Sequence, residues 1–168
     1  MRTRLFTLLI ACQLSLICVA QDAANPGARA DHVLVLKKER TLQLVSHGKV
    51  IHSYRIALGG NPVGPKTMQG DHKTPEGDYV LDRRNAHSRF YKAIHISYPN
   101  AQDRASASKK GVSAGGDVFI HGLPNGYAWI GTSHRLKDWT DGCIAVTDEE
   151  MDQIWQSVAD GTPIAIRP

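Results

Sequence analysis

Residues 32 to 58 alternate. In HVLVL, TLQLV and VIHSYRIAL apolar side chains recur at every second position, as at Leu42 and Leu44 and again at Tyr54, Ile56 and Leu58. A period of two suits a pleated strand with one covered face and is the wrong period for an amphipathic helix. The SHGK between the second and third runs predicts a hairpin turned at His47 and Gly48. Further short strands are expected at Tyr79–Leu81, at Ala93–Ser97 (AIHIS), at 117–122 (DVFIHG) and in the closing PIAIRP. TDEEMDQIWQSV reads as the one clear helix: Thr147 and Glu150 have the spacing of a capping box, and Met151, Ile154, Trp155 and Val158 form its apolar stripe. PNAQDRASASKKG predicts a helical turn ended by Gly111. The expected fold class is therefore mostly β with one or two short helices, as a bent sheet or sandwich.

Two segments break the pattern. Residues 59–78 hold five glycines and three prolines and read as an ordered loop. Residues 123–139 form a seventeen-residue connection, and loops of that length in small domains are usually functional.

The first twenty residues, MRTRLFTLLIACQLSLICVA, put two arginines before an apolar run and small residues at its end, as in a secretory signal peptide cleaved after Ala20. A lipoprotein box ending on Cys12 competes with that reading, and residues 21–30 follow as a short linker. Without residues 1–20 the chain keeps 18 of its 20 Lys and Arg against 16 Asp and Glu, a balance near +2 that leaves no nucleic-acid footprint. It also keeps one cysteine, Cys143, in a compartment where thiols tend to be oxidised. Packing as a small hydrophobe and reactivity are both open to such a residue.

Several motifs fail on context. GVSAG at 111–115 fits a nucleophile elbow on Ser113 but lacks the strand before it and the helix after it. SHGK and SASK fit S-x-x-K without a K-T-G partner, and Pro65 removes an N–H where a phosphate loop at GGNPVGPKT would need one. Eight histidines occur, with neither H-E-x-x-H nor paired C-x-x-C, so no metal site is expected.

His121 and Cys143 remain. A thiol attacks a carbonyl as thiolate and needs a base within hydrogen-bond reach. His121 ends an apolar strand beside Gly122, whose accessible backbone could hold one ring nitrogen and set the tautomer. Gly142 allows a sharp turn, from which the N–H groups of 142 and 143 could face the reacting centre. Spacing alone does not bring the two side chains together.

IHG at 120–122 followed by TDGCI at 140–144 resembles the signature of the YkuD-type L,D-transpeptidase catalytic domain, a His-Gly, a spacer, then Ser or Thr, His, Gly and Cys. ALGGNPVGPK and TPEGDY at 74–79 are similar to upstream parts of that family, and the likeness covers residues 31–168. The resemblance implies a β-sandwich-like catalytic domain over 31–168, with Cys143 as nucleophile, His121 as base and Gly122 orienting it. Thr140, Asp141 and Gly142 would support the oxyanion site. Asp141 departs from the family's usual second histidine, and Ala145 stands where Asn is common; Asp141 could hold an acceptor amine or orient Arg135 or His134. The implied substrates are peptidoglycan stem peptides, cut after diaminopimelate with release of D-alanine, with no cofactor and no metal. The acceptor would be another stem, the lysine of a wall-anchored protein, or water. Tyr127, Trp129, His134 and Arg135 are expected to grip substrate, Arg135 through a diaminopimelate carboxylate or else pairing with Asp138. The implied location is the periplasm or cell envelope. A non-catalytic wall-binding domain and a serine hydrolase on Ser113 are the competing readings.

Overall fold

The computed structural model describes residues 29–168. The expected signal peptide, the Cys12 box and most of the linker lie outside the described residues.

Three antiparallel strands open the chain: β1 (His32–Leu36), β2 (Thr41–Ser46) and β3 (Lys49–Arg55). The β2–β3 hairpin turns at the expected place, with His47 and Gly48 both at positive φ (51° and 75°), the twist a tight two-residue hairpin requires. Alternation is visible in the packing, since Val33, Val35, Leu42 and Leu44 are fully buried while their neighbours are not. β4 (Gly77–Ser88) and β5 (Tyr91–Ile96) form a second hairpin, followed by α1 (Ala101–Lys109), β6 (Phe119–His121), β7 (Ile144–Ala145), α2 (Asp148–Ser157) and β8 (Thr162–Arg167). The eight strands among the described residues make one sheet in the order β3-β2-β1-β8-β4-β5-β6-β7, with β1–β8 and β6–β7 parallel and the other pairs antiparallel.

The sheet curls, and backbone pairing across its two ends shows why. After β3 the chain crosses to the opposite edge, where Ala57 and Ala145 exchange both hydrogen bonds (3.0 and 2.9 Å) and the Thr140 N–H donates to the Leu58 carbonyl at 3.1 Å. Pairing that would otherwise be left open at the edge is thereby satisfied. The same contact brings the β3 end of the sheet to the segment that carries Cys143.

Helix α2 follows its sequence closely. The Thr147 hydroxyl accepts from the Glu150 N–H, and the Glu150 side chain accepts from the Thr147 N–H, a complete capping box. Met151 and Ile154 are fully enclosed, against a core that includes Leu81, Ile94 and Ile120. Truncating Ile154 to Ala leaves a cavity there and is expected to lower stability by about 2–5 kcal/mol. The shift should appear in the urea midpoint with an unchanged slope; a shift within error would mean that this helix is not part of the cooperative core.

Three elements differ from expectation. The helical turn after Asn100 is a nine-residue helix, because Asn100 and Asp103 form a second capping box. The strand expected at Tyr79–Leu81 runs on to Ser88. Its polar half is held by ladder pairing with β5 rather than by burial, so it carries no apolar alternation. The 123–139 connection contains 3-10 turns over Ala128–Leu136, broken at Gly131 (φ 49°, ψ −135°). Among the described residues no helix is long and apolar enough to cross a membrane.

Candidate active site

Strands β6 and β7 settle how close the two candidate side chains come. Their parallel register pairs Ile120 with Ile144 and His121 with Ala145. Both isoleucines are fully buried on one face. By alternation Phe119, His121 and Cys143 belong to the other, with Cys143 one residue before β7 and two steps from the level of His121. Both line one cleft of about 690 Å³, walled by Phe90, Phe119 and Trp139.

His121 is 4% exposed. Its Nδ1 lies 2.7 Å from the Gly122 carbonyl oxygen, and since a carbonyl only accepts, Nδ1 carries the proton and Nε2 is left as an acceptor. The rings of Phe90 and Trp139 stand 4.7 and 5.7 Å from the imidazole, centroid to centroid, and hold its plane. Burial pushes its pKa down to about 4, against the Gly122 bond, which acts the other way. The strand end is pinned from behind. The Val146 N–H donates to the His121 carbonyl at 3.0 Å, and Asp148 in the first turn of α2 accepts from the Leu123 N–H at 2.8 Å. A Cβ on residue 122 would stand 2.5 Å from that Asp148 oxygen and 3.0 Å from the Tyr91 Cβ, so any larger residue there would have to displace the carboxylate that holds Leu123.

The Cys143 thiol donates to the Asp117 carbonyl at 3.7 Å. Burial pushes it up, the Phe119 backbone lowers it in part, and the carboxylates of Asp141 and Asp117 raise it again. At rest the pair is thus a neutral thiol and a neutral imidazole. A neutral pair of this kind can react by proton transfer from sulfur to imidazole as the thiol attacks.

The turn before the cysteine is stiff. Gly142 has φ +125°, and a Cβ there would meet the Lys73 carbonyl oxygen at 2.5 Å. The Thr140 hydroxyl donates to the Cys143 carbonyl at 2.7 Å and accepts from the Gly142 N–H at 3.1 Å. That corrects one expectation: the Gly142 N–H is engaged inside the turn rather than turned toward the reacting centre.

Asp141 is corrected too. Its partner is neither Arg135 nor His134 but His72, whose Nδ1 lies 2.8 Å from Asp141 Oδ1. Arg135 pairs with Glu150, the capping carboxylate of α2, and Asp138 is taken by Arg40 at 2.8 Å, so the expected Arg135–Asp138 pair is replaced by two others. An arginine that does line the cleft is Arg89, in the β4–β5 turn; being exposed and outside any hydrophobic pattern, it offered no signal in sequence. His134 and Tyr127 line a neighbouring apolar pocket of about 240 Å³ that shares Trp139 with the cleft. Both ring nitrogens of His134 are enclosed without a hydrogen-bond partner, and burial pushes its pKa down to about 4. Trp129 stands 80% exposed on the outer surface of the 3-10 turns. Ser113 sits in the turn that its context predicted, its hydroxyl accepting from the Gly115 N–H at 3.2 Å.

Comparison with known proteins agrees with this geometry. The family model described as the L,D-transpeptidase catalytic domain, YkuD, matches residues 30–166. YafK of Escherichia coli (strain K12), a provisionally named L,D-transpeptidase, is 37% identical over 133 residues, 76% of this chain and 46% of that protein. The crystal structure of the helical cell shape determining protein Pgp2 from Campylobacter jejuni superposes with a TM-score of 0.63 at 28% identity, covering 81% of this chain and 46% of that one. An L,D-transpeptidase from Mycobacterium smegmatis shares the fold at a TM-score of 0.54 and 15% identity, over 82% of this chain and 58% of its own. The chain spans about half the length of the curated relatives it matches.

Proposed function

Because this chain belongs to the L,D-transpeptidase catalytic domain family, we propose that residues 31–168 form a cysteine-dependent acyltransferase acting on peptidoglycan stem peptides in the cell envelope. The observation that carries the reading is the single cleft lined by Cys143 and by an imidazole whose Nδ1 is held on the Gly122 carbonyl. His121 Nε2 takes the thiol proton while Sγ attacks the carbonyl of diaminopimelate that precedes the terminal D-alanine. The Cys143 N–H stabilises the oxyanion, and the rigid Thr140–Gly142 turn holds that N–H in place. As the tetrahedral species collapses, the C–N bond breaks, His121 returns its proton to the departing D-alanine amine, and a thioester remains on Cys143. An amine of another stem, or the lysine of a wall-anchored protein, then takes the acyl group. Arg89 at the cleft rim is suited to a stem carboxylate, and Tyr127 and His134 border the path of the chain beyond Trp139.

Water as the acceptor is the second reading, making the protein a trimming enzyme that releases the free acid. Intact-protein mass spectrometry after incubation with disaccharide tetrapeptide, and separately with a carbapenem, tests the first step. The parent protein is expected to gain the acyl mass and Cys143→Ala to gain none. An equal adduct on both, or none on well-folded parent protein under reducing conditions, would remove the cysteine reading. Released products separate amide from free acid.

A further inference from the structure

The cysteine cleft does not end at its acidic rim. Beyond Asp117 and Asp141 lies a second, polar cavity of about 540 Å³, and those two residues line both spaces. Across it stands His72, a residue that no motif singles out.

Its position is built in. His72 follows Asp71, which is paired with Lys66 at 2.7 Å and accepts from the backbone N–H groups of Thr67, Met68 and Lys73. The chain on both sides of His72 lies against the turn before the thiol. A Cβ on Gly59 would meet the His72 carbonyl oxygen at 2.3 Å and the Gly142 Cα at 3.1 Å, and the Lys73 carbonyl is the group that excludes a Cβ from Gly142. The imidazole then reaches Asp141 at 2.8 Å through Nδ1. A carboxylate only accepts, so Nδ1 carries a hydrogen, and in the neutral ring Nε2 is the nitrogen that can accept a proton.

Charge in this cavity is uneven. Lys66 is neutralised by Asp71, whereas the side chains of Asp117 and Asp141 are 86% and 91% exposed, Asp117 having Arg83 at 3.9 Å. An approaching cation is favoured there and an anion is not. The same field creates a difficulty: an alkyl amine is an ammonium at neutral pH, and two carboxylates stabilise that unreactive form further. His121 cannot relieve this, since its proton traffic is with sulfur.

We infer that His72, held by Asp141, is the base that deprotonates a cationic amine acceptor entering through the polar cavity, in the second half of the reaction. This rests on the acyl-enzyme reading above. The ammonium gives one proton to His72 Nε2, and the freed lone pair attacks the thioester carbonyl. The C–N bond forms and the C–S bond breaks. A second proton passes from nitrogen through His121 to Sγ, restoring the thiol, and the third remains on the new amide. Asp141 acts as a positioning residue, and Asp117 supplies field.

The test uses the whole protein with tetrapeptide donor and two acceptors, Nα-acetyl-lysine, whose amine pKa is about 10.4, and glycinamide, whose amine lies near about 8. In His72→Gln the acyl-enzyme should form within about twofold of the parent rate, while amide formation with acetyl-lysine at neutral pH falls by about 10²-fold, the usual reach of a general base. Loss with glycinamide should be much smaller, and alkaline pH should restore transfer to acetyl-lysine. Unchanged transfer, or equal loss with both amines, would overturn the assignment of His72. A parent protein that forms no acyl-enzyme overturns it as well, and is told apart by the missing adduct.

Discussion

His121→Gln is expected to acylate about 10²–10⁴-fold more slowly than the parent protein at neutral pH. The thiol rests neutral, pushed up by burial and by Asp141 and Asp117, so attack requires a base at the moment of reaction. Glutamine keeps much of the shape and has no basic nitrogen. The parent rate should stay level as pH falls from neutrality toward 5 and drop only as His121 takes a proton, near its pKa of about 4. A resting thiolate–imidazolium pair would also hold its rate to about pH 3–4, where a His-paired thiolate takes its proton, and is told apart by a thiolate absorbance in the ultraviolet at neutral pH. Single-turnover acylation followed by mass, at a series of pH values, locates the acid limb; a glutamine variant within a few-fold of the parent would refute the role.

The same residue sets an acid sensitivity. Its folded pKa lies below the unfolded value of about 6.5, so the unfolded chain binds the proton first. Its contribution is therefore intact above that unfolded pKa and is lost as pH falls from about 6.5 to about 4, on the order of 3 kcal/mol when complete. His121→Gln should flatten that part of the stability profile in denaturant titrations.

Asp71→Asn should lose about 3–5 kcal/mol, because it leaves the Lys66 ammonium buried without its counter-ion. The two side chains are 5% and 4% exposed. Burial alone would push the Asp71 carboxyl up, but the Lys66 ammonium and the three backbone N–H groups outweigh it and hold it below the usual carboxylate range. A lowered carboxylate pKa stabilises above the unfolded value, about 3.9, and that stability disappears as pH drops through the lower folded value. Acid unfolding of the parent should thus draw on His121 first and on Asp71 at lower pH. Removing the cation as well, in Lys66→Met with Asp71→Asn, should recover much of the loss, since no charge is then left unpaired and the amide oxygen can still accept from the backbone N–H groups of the loop. A thermal melt in which Asp71→Asn matches the parent would mean that the 59–78 loop is not held by this pair.

By itself the sequence determined the things that depend on near neighbours in the chain. Period-two alternation specified β1 and β2, because the pleat alone decides which side chains share a face. Thr147 and Glu150 started α2, and the spaced His-Gly and Thr-Asp-Gly-Cys segments pointed to the family. Contacts between distant segments were decided only by the tertiary structure. The register of β6 on β7 puts Cys143 and His121, 22 positions apart in the chain, in one cleft, and no local preference encodes a strand partner. The polar half of β4 was hidden because ladder hydrogen bonds hold it without apolar burial. Arg135 was misread because a long side chain reaches whichever carboxylate the packing presents, here Glu150. His72 was invisible for the same reason: it becomes a neighbour of Asp141 only once the Lys66–Asp71 pair has folded its loop against Gly142, and a hydrogen bond spanning 69 positions leaves no spacing to read.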